Sequence, residues 1–417
     1  MNTDPIEIIH TADTHLGYTQ YHNETREMDF ENAFIEIITD AIESDVDAVI
    51  HSGDLFHHSK PNYRALSVVT RQLNRLDENG IPFIAIVGNH DASRDGKWID
   101  LFEEFDIATY IHQTSTTIEN DNGTLGVAFY GFDYTPVSKR SSVSYDYDTP
   151  QLENSNGTMV DVFVTHGSFE PIAPGKTSLG DIFGQSNIDF DISLLGDDHR
   201  NIVEVVGGFI STYSGASERT ASDQPPGSYN KITIGKTPTG NDYSFDEDEY
   251  KLSNDLYATI SKQQTQSRSF VEYEIPIEDE HVSVEQKIRS HIDTHSPFNK
   301  AVVLYRVVSE DGVESTETIP ISDLETHATD SGGALVCIMY DDRNVSHQRD
   351  VEIGTDFIDP DQAVQNRLVE LGVSDSYMEI DSIIRNDGVA KTNVDDVSEK
   401  RVSEIFAECG EGNVTDS

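Results

Sequence analysis

Positive charge and cysteine are scarce in this chain. Of its 417 residues, 28 are Lys or Arg against 76 Asp or Glu, a formal net charge of −48. The two cysteines, Cys337 and Cys409, cannot form a disulfide framework, so a reducing cytoplasm is the expected compartment. No apolar run approaches the length of a membrane span, so no membrane partner is expected. The opening stretch MNTDPIEIIHTADTHLG lacks a basic region and a long apolar run, and does not read as a signal peptide.

The shortage of cations has three readings. Disorder is one, but 36% hydrophobic residues and many strand-like runs argue for a folded protein. Calcium loading is another, but no EF-hand spacing is present. The third is adaptation to very high salt, where carboxylates stay hydrated and their repulsion is screened within a few ångströms. The acids are spread along the whole chain rather than gathered in a tail, which favours the third. A basic face then ceases to be a test for nucleic-acid binding.

Strands and helices alternate through the first half. Residues 6–13, 46–54 and 82–91 read as buried strands. Phe30, Phe34, Ile37, Ile38, Ala41 and Ile42 recur at helical spacing, as do Leu66, Val69, Leu73 and Leu76 after Pro61, with Gly80 just past the end. A short helix is expected at 98–105, and strands at 125–132, 160–167, 190–197 and 209–215. Residues 134–158 look like an exposed insertion, and 217–268 look polar and strand-poor apart from 230–235. Four segments follow: a core at 1–220, a linker with the last core elements at 221–268, a small α+β domain at 269–342 and a helical acidic tail at 343–417.

Polar residues gather where the strands end, and in α/β sheets ligands bind outside the carboxyl ends of the strands. Five strand ends present metal-type side chains: Asp13 and His15; Asp54, with His57 beyond; Asn89 and His90; His166; and Asp197 and His199. Mixed carboxylate, imidazole and amide oxygen donors suit paired Mn, Fe or Zn ions. Each fragment alone is weak, because a polar turn after a strand or a lone buried histidine is common. Their repetition at five successive strand ends is the signal. The remaining histidines are expected to be surface or satisfied residues.

With these residues in view, the sequence resembles the calcineurin-like metallophosphoesterases. Within them it resembles the Mre-eleven/SbcD double-strand-break repair nucleases. The general motifs are TADTHLG, HSGDLF, VGNHD, VTHG and GDDH. HLGYTQYHNETRE (15–27), GDLFHHSKPN (53–62) and YSGASERT (213–220) point to the nuclease branch. The resemblance spans about residues 6–220 and, with the composition, points to a halophilic archaeon.

The resemblance implies a metallophosphoesterase sandwich, mixed sheets flanked by helices, with a small α+β domain capping DNA. It implies Mn-dependent exonuclease and endonuclease action on break ends, with two Mn2+ per chain (Mg2+ or Fe2+ being alternatives). Asp13, His15, Asp54 and His199 would hold one ion. Asp54 would bridge to a second, held by Asn89, His166 and residue 197. His90 would assist at the scissile phosphate and His57 would position the substrate. The few cations in or near the motif loops, Arg26, Lys60, Arg64, Arg94 and Arg219, are the candidate DNA contacts. Implied partners are a second copy, through helices at 61–79 and 97–105, and a Rad-fifty/SbcC-like ATPase.

Position 197 departs from the family pattern, which has histidine there. A carboxylate keeps a donor atom but adds one negative charge to the set that already contains Asp13 and Asp54. The other expected ligands are all present, so an altered but working site is expected, with binding of Asp197 through a water as the milder alternative. A phosphoesterase for nucleotides or phosphoproteins, and a non-catalytic DNA-end-binding scaffold, are the rival functions. In the tail, Ala363, Val364, Leu368 and Leu371 form one apolar stripe and Val394, Val397, Val402, Ile405 and Cys409 another. They are candidate docking helices for the ATPase.

Overall fold

The computed structural model describes residues 4–342 except 93–95, 141, 153, 176, 238–247, 253–254, 278–282 and 310–317. Arg94 and the tail with its two stripes lie outside the described residues. The described residues belong to one compact unit, 1–344.

The first sheet is built by β1 (Ile6–Thr11), α1 (Glu24–Glu43), β2 (Ala48–His51), α2 (Tyr63–Glu78), β3 (Phe83–Ala85), α3 (Trp98–Glu104) and β4 (Thr109–Tyr110). The four strands are parallel neighbours. Asn23 caps α1 by accepting from Thr25 N at 2.8 Å. Asn62 caps α2, accepting from Ala65 N at 2.8 Å, so the helix opens just past Pro61.

The second sheet comes from β5 (Ser115–Glu119), β6 (Leu125–Phe132), α4 (Val137–Arg140), β7 (Thr158–His166), α5 (Leu179–Phe183), β8 (Ile192–Gly196), β9 (Asn201–Val206) and β10 (Phe209–Ser214). Its order is β5-β6-β7-β8-β10-β9, with β6, β7 and β8 parallel. The chain then returns through β11 (Ser228–Lys236), β12 (Glu249–Lys251) and β13 (Leu256–Gln264), completing a seven-stranded first sheet in the order β12-β13-β11-β1-β2-β3-β4.

Residue alternation sorts these strands into two layers. Ile6, Ile8, Ile50 and Ile84 face Val127, Phe129, Val162 and Leu194 in one core between the sheets. Ile9, Val49 and Phe83 face the other way, under α1, α2 and α3. The outer face of the second sheet is covered by loops rich in aromatics, including Tyr145, Tyr147, Phe169 and Phe190.

Two stretches that look polar are therefore structural. Tyr145 and Tyr147, inside the apparent insertion at 134–158, are buried against Phe132, Tyr130 and Phe163. In β13, Leu256, Ala258 and Ile260 are buried while the residues between them are partly exposed, so half of an amphipathic strand hides the other half in a composition count.

The small unit is β14 (Phe270–Ile277), α6 (Val284–His295), β15 (Val302–Ser309), α7 (Ile321–Asp330) and β16 (Val336–Asp341). Its three strands are parallel in the order β14-β15-β16, and both helices share one core with Ile275, Val303 and Tyr305. Arg268 ties its base to the core through two bonds to Asp29, at 2.6 and 2.7 Å.

Candidate metal centre

Because β1, β2, β3, β7 and β8 are parallel neighbours within their sheets, the candidate side chains leave from the carboxyl ends of both sheets. The loops after β1 and β2 are zipped together. Asp13 N donates to Gly53 O at 3.0 Å, His15 N to Asp54 O at 3.1 Å, and Leu16 N to Leu55 O at 3.0 Å. Asp13, His15, Asp54 and Asp197 all have positive φ, at 50°, 45°, 58° and 95°. Such backbone costs roughly 1–2 kcal/mol for each L-residue and persists where the surroundings over-determine it. Two glycines make the approach possible. A Cβ on Gly88 would lie 2.1 Å from Asp54 Oδ1, and one on Gly196 would lie 2.3 Å from Ser52 O and 2.6 Å from His166 Nδ1.

At the bottom of the cluster, His166 Nδ1 donates to Ser52 O at 2.8 Å. Its Nε2 thereby faces four oxygens: Asn89 Oδ1 at 2.9 Å, Asp54 Oδ2 at 3.5 Å, Asp197 Oδ1 at 3.8 Å and Asp13 Oδ1 at 3.9 Å. Beside it, His15 Nε2 and His199 Nε2 stand 3.4 Å apart, 4.0 Å from Asp54 Oδ2 and 3.9 Å from Asp13 Oδ1 respectively. Asp54 Oδ2 thus lies between the two groups of donors. Asp13, His15 and His199 have donor atoms mutually within 4.8 Å, and so do Asp13, Asp54 and His166.

The electrostatics call for positive charge. Burial alone would push His166 down, but the carboxylates of Asp54, Asp13 and Asp197 pull it up to about 10. Burial pushes Asp13 up to about 6 against the neighbouring His166 and His199. Asp54 is held well below the carboxylate range: burial opposes its charge, and His166 and His15 outweigh burial. Burial lowers His15 well below the ordinary imidazole value, leaving it neutral and able to donate a lone pair. Mixed O and N donors on two sides of a shared carboxylate fit a pair of divalent ions.

Above this floor, His90 Nδ1 donates to His57 O at 2.8 Å, which leaves His90 Nε2 free, 4.0 Å from Asp54 Oδ2. The His90 backbone N–H donates to Asp54 Oδ1 at 2.8 Å. His57 lies between Tyr18, stacked with ring centroids 3.9 Å apart, and His90, at 5.1 Å. Burial, then His58 and His90, lower His57 to about 4.

Two positioning groups went unread in the sequence. Asp91 closes the GNHD motif, and its carboxylate accepts from Leu55 N at 2.9 Å and Phe56 N at 2.7 Å, fixing the loop that carries Asp54. Burial, with Asp54 nearby, pushes its carboxyl up to about 7. Thr220 and Gln224 meet His199 Nδ1 at 3.0 and 2.7 Å, from a segment with no recognised motif of its own beyond Thr220.

Asp197 lies in the cluster with one oxygen toward His166 and the other accepting from Ser168 Oγ at 2.7 Å. Its own N–H donates to the Asp13 carboxylate at 3.0 and 3.2 Å. Asp198 turns away to pair with Arg200 at 2.6 Å.

The candidate DNA contacts fare unevenly. Lys60 is exposed. Arg64 is 46% exposed at its side chain but held by both oxygens of Glu31, at 2.5 and 2.7 Å. Arg219 is half-buried over the Phe270 ring. Arg26 is not a surface cation at all. It is fully buried, and Gln20, Asp29, Glu218 and the Arg219 carbonyl take its donors, so it is a structural link and no phosphate contact. Its partner Glu218 lies 192 residues away, which no local pattern reveals.

Residues 6–201 match the calcineurin-like phosphoesterase family. The chain is 35% identical to the DNA double-strand break repair protein Mre11 of Haloferax volcanii, over 96% of this chain and 82% of that one. It is 32% identical to Mre11 of Halobacterium salinarum, over 93% of this chain and 91% of that one. It is also 32% identical to Mre11 of Methanosarcina mazei, over 95% of this chain and 60% of that longer protein. The five-motif site, the phosphoesterase match and this near full-length likeness lead to one conclusion: the chain belongs to the Mre11 family of metal-dependent double-strand-break repair nucleases, within the calcineurin-like phosphoesterases.

Proposed function

We propose that this protein trims DNA double-strand-break ends by Mn-dependent exonuclease and endonuclease cleavage, together with a Rad-fifty/SbcC-like ATPase. The observation that carries the reading is the convergence of Asn89, Asp54, Asp197 and Asp13 oxygens on His166 Nε2, next to the His15–His199 pair. Asp13, His15, Asp54 and His199 would hold one ion, and Asp54, Asn89, His166 and Asp197 the other. When bound, such a pair supplies a hydroxide near neutral pH and offsets charge on both reacting oxygens of an in-line displacement.

The chain's own residues do the rest. His166 is fixed by its Ser52 bond, so one ring nitrogen always faces the cluster. His90 donates through Nδ1 to the His57 carbonyl and presents Nε2 to the substrate. A second proton, taken up at Nε2 from solvent, can pass to the leaving oxygen and leave the ring with its Nδ1 proton. His57, stiffened by Tyr18, forms the wall against which the phosphodiester is placed. Lys60, Arg64, Arg94 and Arg219 are the candidate contacts to the DNA backbone, few enough to suit a protein working in high salt. Residues 269–342 would cap the DNA and 343–417 would dock the ATPase. Tyr63, 86% exposed at the start of α2, and Phe105, 60% exposed just past α3, support a homodimer through those two helices.

A nuclease assay on linear duplex DNA with Mn2+ at molar salt, wild type against His90→Asn, tests the reading. Cleavage by the wild type, and cleavage lowered by about 10²–10⁴-fold in the variant with equal metal content, is the expected result. No cleavage by metal-loaded wild type would leave the scaffold function instead.

A further inference from the structure

Arg140, the last residue of α4, is only 8% exposed. Its Nε donates to Thr135 O at 2.8 Å and its Nη1 to Thr177 Oγ1 at 2.9 Å. The guanidinium carbon lies 4.7 Å from the centre of the Phe169 ring. The third nitrogen, Nη2, lies against the backbone directly after His166, 2.4 Å from where a Cβ on Gly167 would stand. Among the described residues Nη2 donates to nothing, and Arg140 forms no ion pair in a chain with 76 acidic residues. The ionisable groups facing it are Tyr145, Tyr134, Asp197 and Tyr213, of which only Asp197 is a carboxylate.

The contrast with Arg26 is instructive. Arg26 is hidden still more completely, but two carboxylates pair with it. A buried guanidinium without an anion is costly, and an anion arriving beside it would offset that cost. Two of the three nitrogens of Arg140 are already anchored, so the third is aimed in advance and its engagement orders little further. The fixed fork of guanidinium donors matches phosphate oxygens. Arg140 packs on Gly167 and Phe169, the two chain neighbours of Ser168, whose hydroxyl bonds Asp197. There the extra carboxylate would repel an incoming phosphodiester.

We propose that Arg140 is a substrate-binding residue of this site, its Nη2 donating to a non-bridging oxygen of a DNA phosphate beside Asp197. The proposal rests on the phosphodiesterase reading above and adds to it the cation that meets the phosphate.

The test compares wild type, Arg140→Gln and Arg140→Lys. Affinity for a fluorescent duplex end is measured in EDTA, and KM and kcat are measured with Mn2+ on DNA and on bis(p-nitrophenyl) phosphate. Metal content and Tm are followed in parallel. Losing one charge-assisted contact should weaken DNA affinity and raise KM for DNA by about tenfold or more, with kcat and metal content little changed. Arg140→Lys should fold, keep part of the affinity and still raise KM, because a lysine lacks the anchored fork. If Arg140→Gln does not fold, the lysine variant decides alone. A raised KM for the small diester as well places the contact on the scissile phosphate, and an effect on DNA alone places it on a flanking one. Wild-type affinity and KM in the lysine variant, or a loss in Arg140→Gln that follows metal content or Tm alone, would overturn the proposal. A wild type that binds DNA but cleaves neither substrate would instead overturn the nuclease reading, and the EDTA affinities would still judge Arg140.

Discussion

The strand-end cluster has a deep half and an outer half, held in different ways. Asp13, Asp54 and His166 form the deep half, at most 2% exposed, pinned by zipped loops, positive-φ backbone and glycines that admit no Cβ. His57 and His90 form the outer half. His90 is 37% exposed at its side chain, and both are placed by ring stacking and one carbonyl bond. The deep half is built to concentrate charge that water cannot screen, and its carboxylates drive His166 up to about 10. The outer half carries no carboxylate of its own and faces the solvent from which substrate comes. A third set of histidines shows that the carboxylates matter more than the imidazoles. His291 and His295 stack at 3.8 Å on α6 among Tyr273 and Tyr305, and burial and the His295 neighbour lower His291.

The comparison breaks if the two halves respond alike to substitution. The largest effect is expected from Asp54→Ala, which removes the carboxylate that lies between the two donor groups. Cleavage should fall by a factor of about 10³ or more, and metal content measured by atomic emission should drop for both ions. Retained metal would mean that Asp54 is not shared.

His90→Asn should lower cleavage about 10²–10⁴-fold while metal content and DNA affinity stay at wild-type levels, the range for losing a positioned proton donor. Metal loss in that variant would move His90 into the deep half.

Asp197 sharpens the boundary between the halves, being anchored to Asp13 and Ser168 yet 29% exposed at its side chain. Asp197→Ala should lose one ion of the two and most of the activity. Asp197→His should keep both, and with one negative charge fewer in the site its pH–rate profile should move toward acid. Full metal content and normal rate in Asp197→Ala would remove residue 197 from the donors. Tyr18→Ala, by unstacking His57, should raise KM severalfold with metal content unchanged.

The smallest effect concerns stability beneath the deep half. His10 is fully buried, and burial, with His51 beside it, lowers it to about 3 from an ordinary value of 6.5. It is neutral when folded, while the unfolded chain binds its proton below 6.5. Its contribution to stability is therefore present above 6.5 and lost as pH falls toward 3. Relative to wild type, His10→Asn should gain about 1.4 kcal/mol per pH unit across that window, read from urea unfolding at several pH values. A pH-independent difference would mean that His10 is charged in the folded protein.

Much of this was legible in the sequence because the motifs are local. GDLF, GNHD and GDDH each join a buried strand to a turn within a few residues, so composition and period mark them. What stayed illegible was non-local or averaged out. The strand at 256–264 hid behind its own exposed half. Asp91 stood inside a recognised motif, but its bonds to Leu55 and Phe56 cross 36 and 35 residues. The tyrosines at 145 and 147 read as insertion because the face they cover belongs to other strands.

The sequence by itself determined which residue types stand at the strand ends and that the family's histidine is an aspartate at position 197. It did so because strand, turn and donor are neighbours in the chain. Only the tertiary structure decided what each cation does. Arg26, Arg64 and Arg140 look alike along the chain. One is buried between Asp29 and Glu218, one lies on the surface against Glu31, and one is buried with a nitrogen uncommitted beside Asp197. The physical reason is that a charge is defined by its partners and its access to water. Both are set by which distant strands and loops the fold brings to the same place.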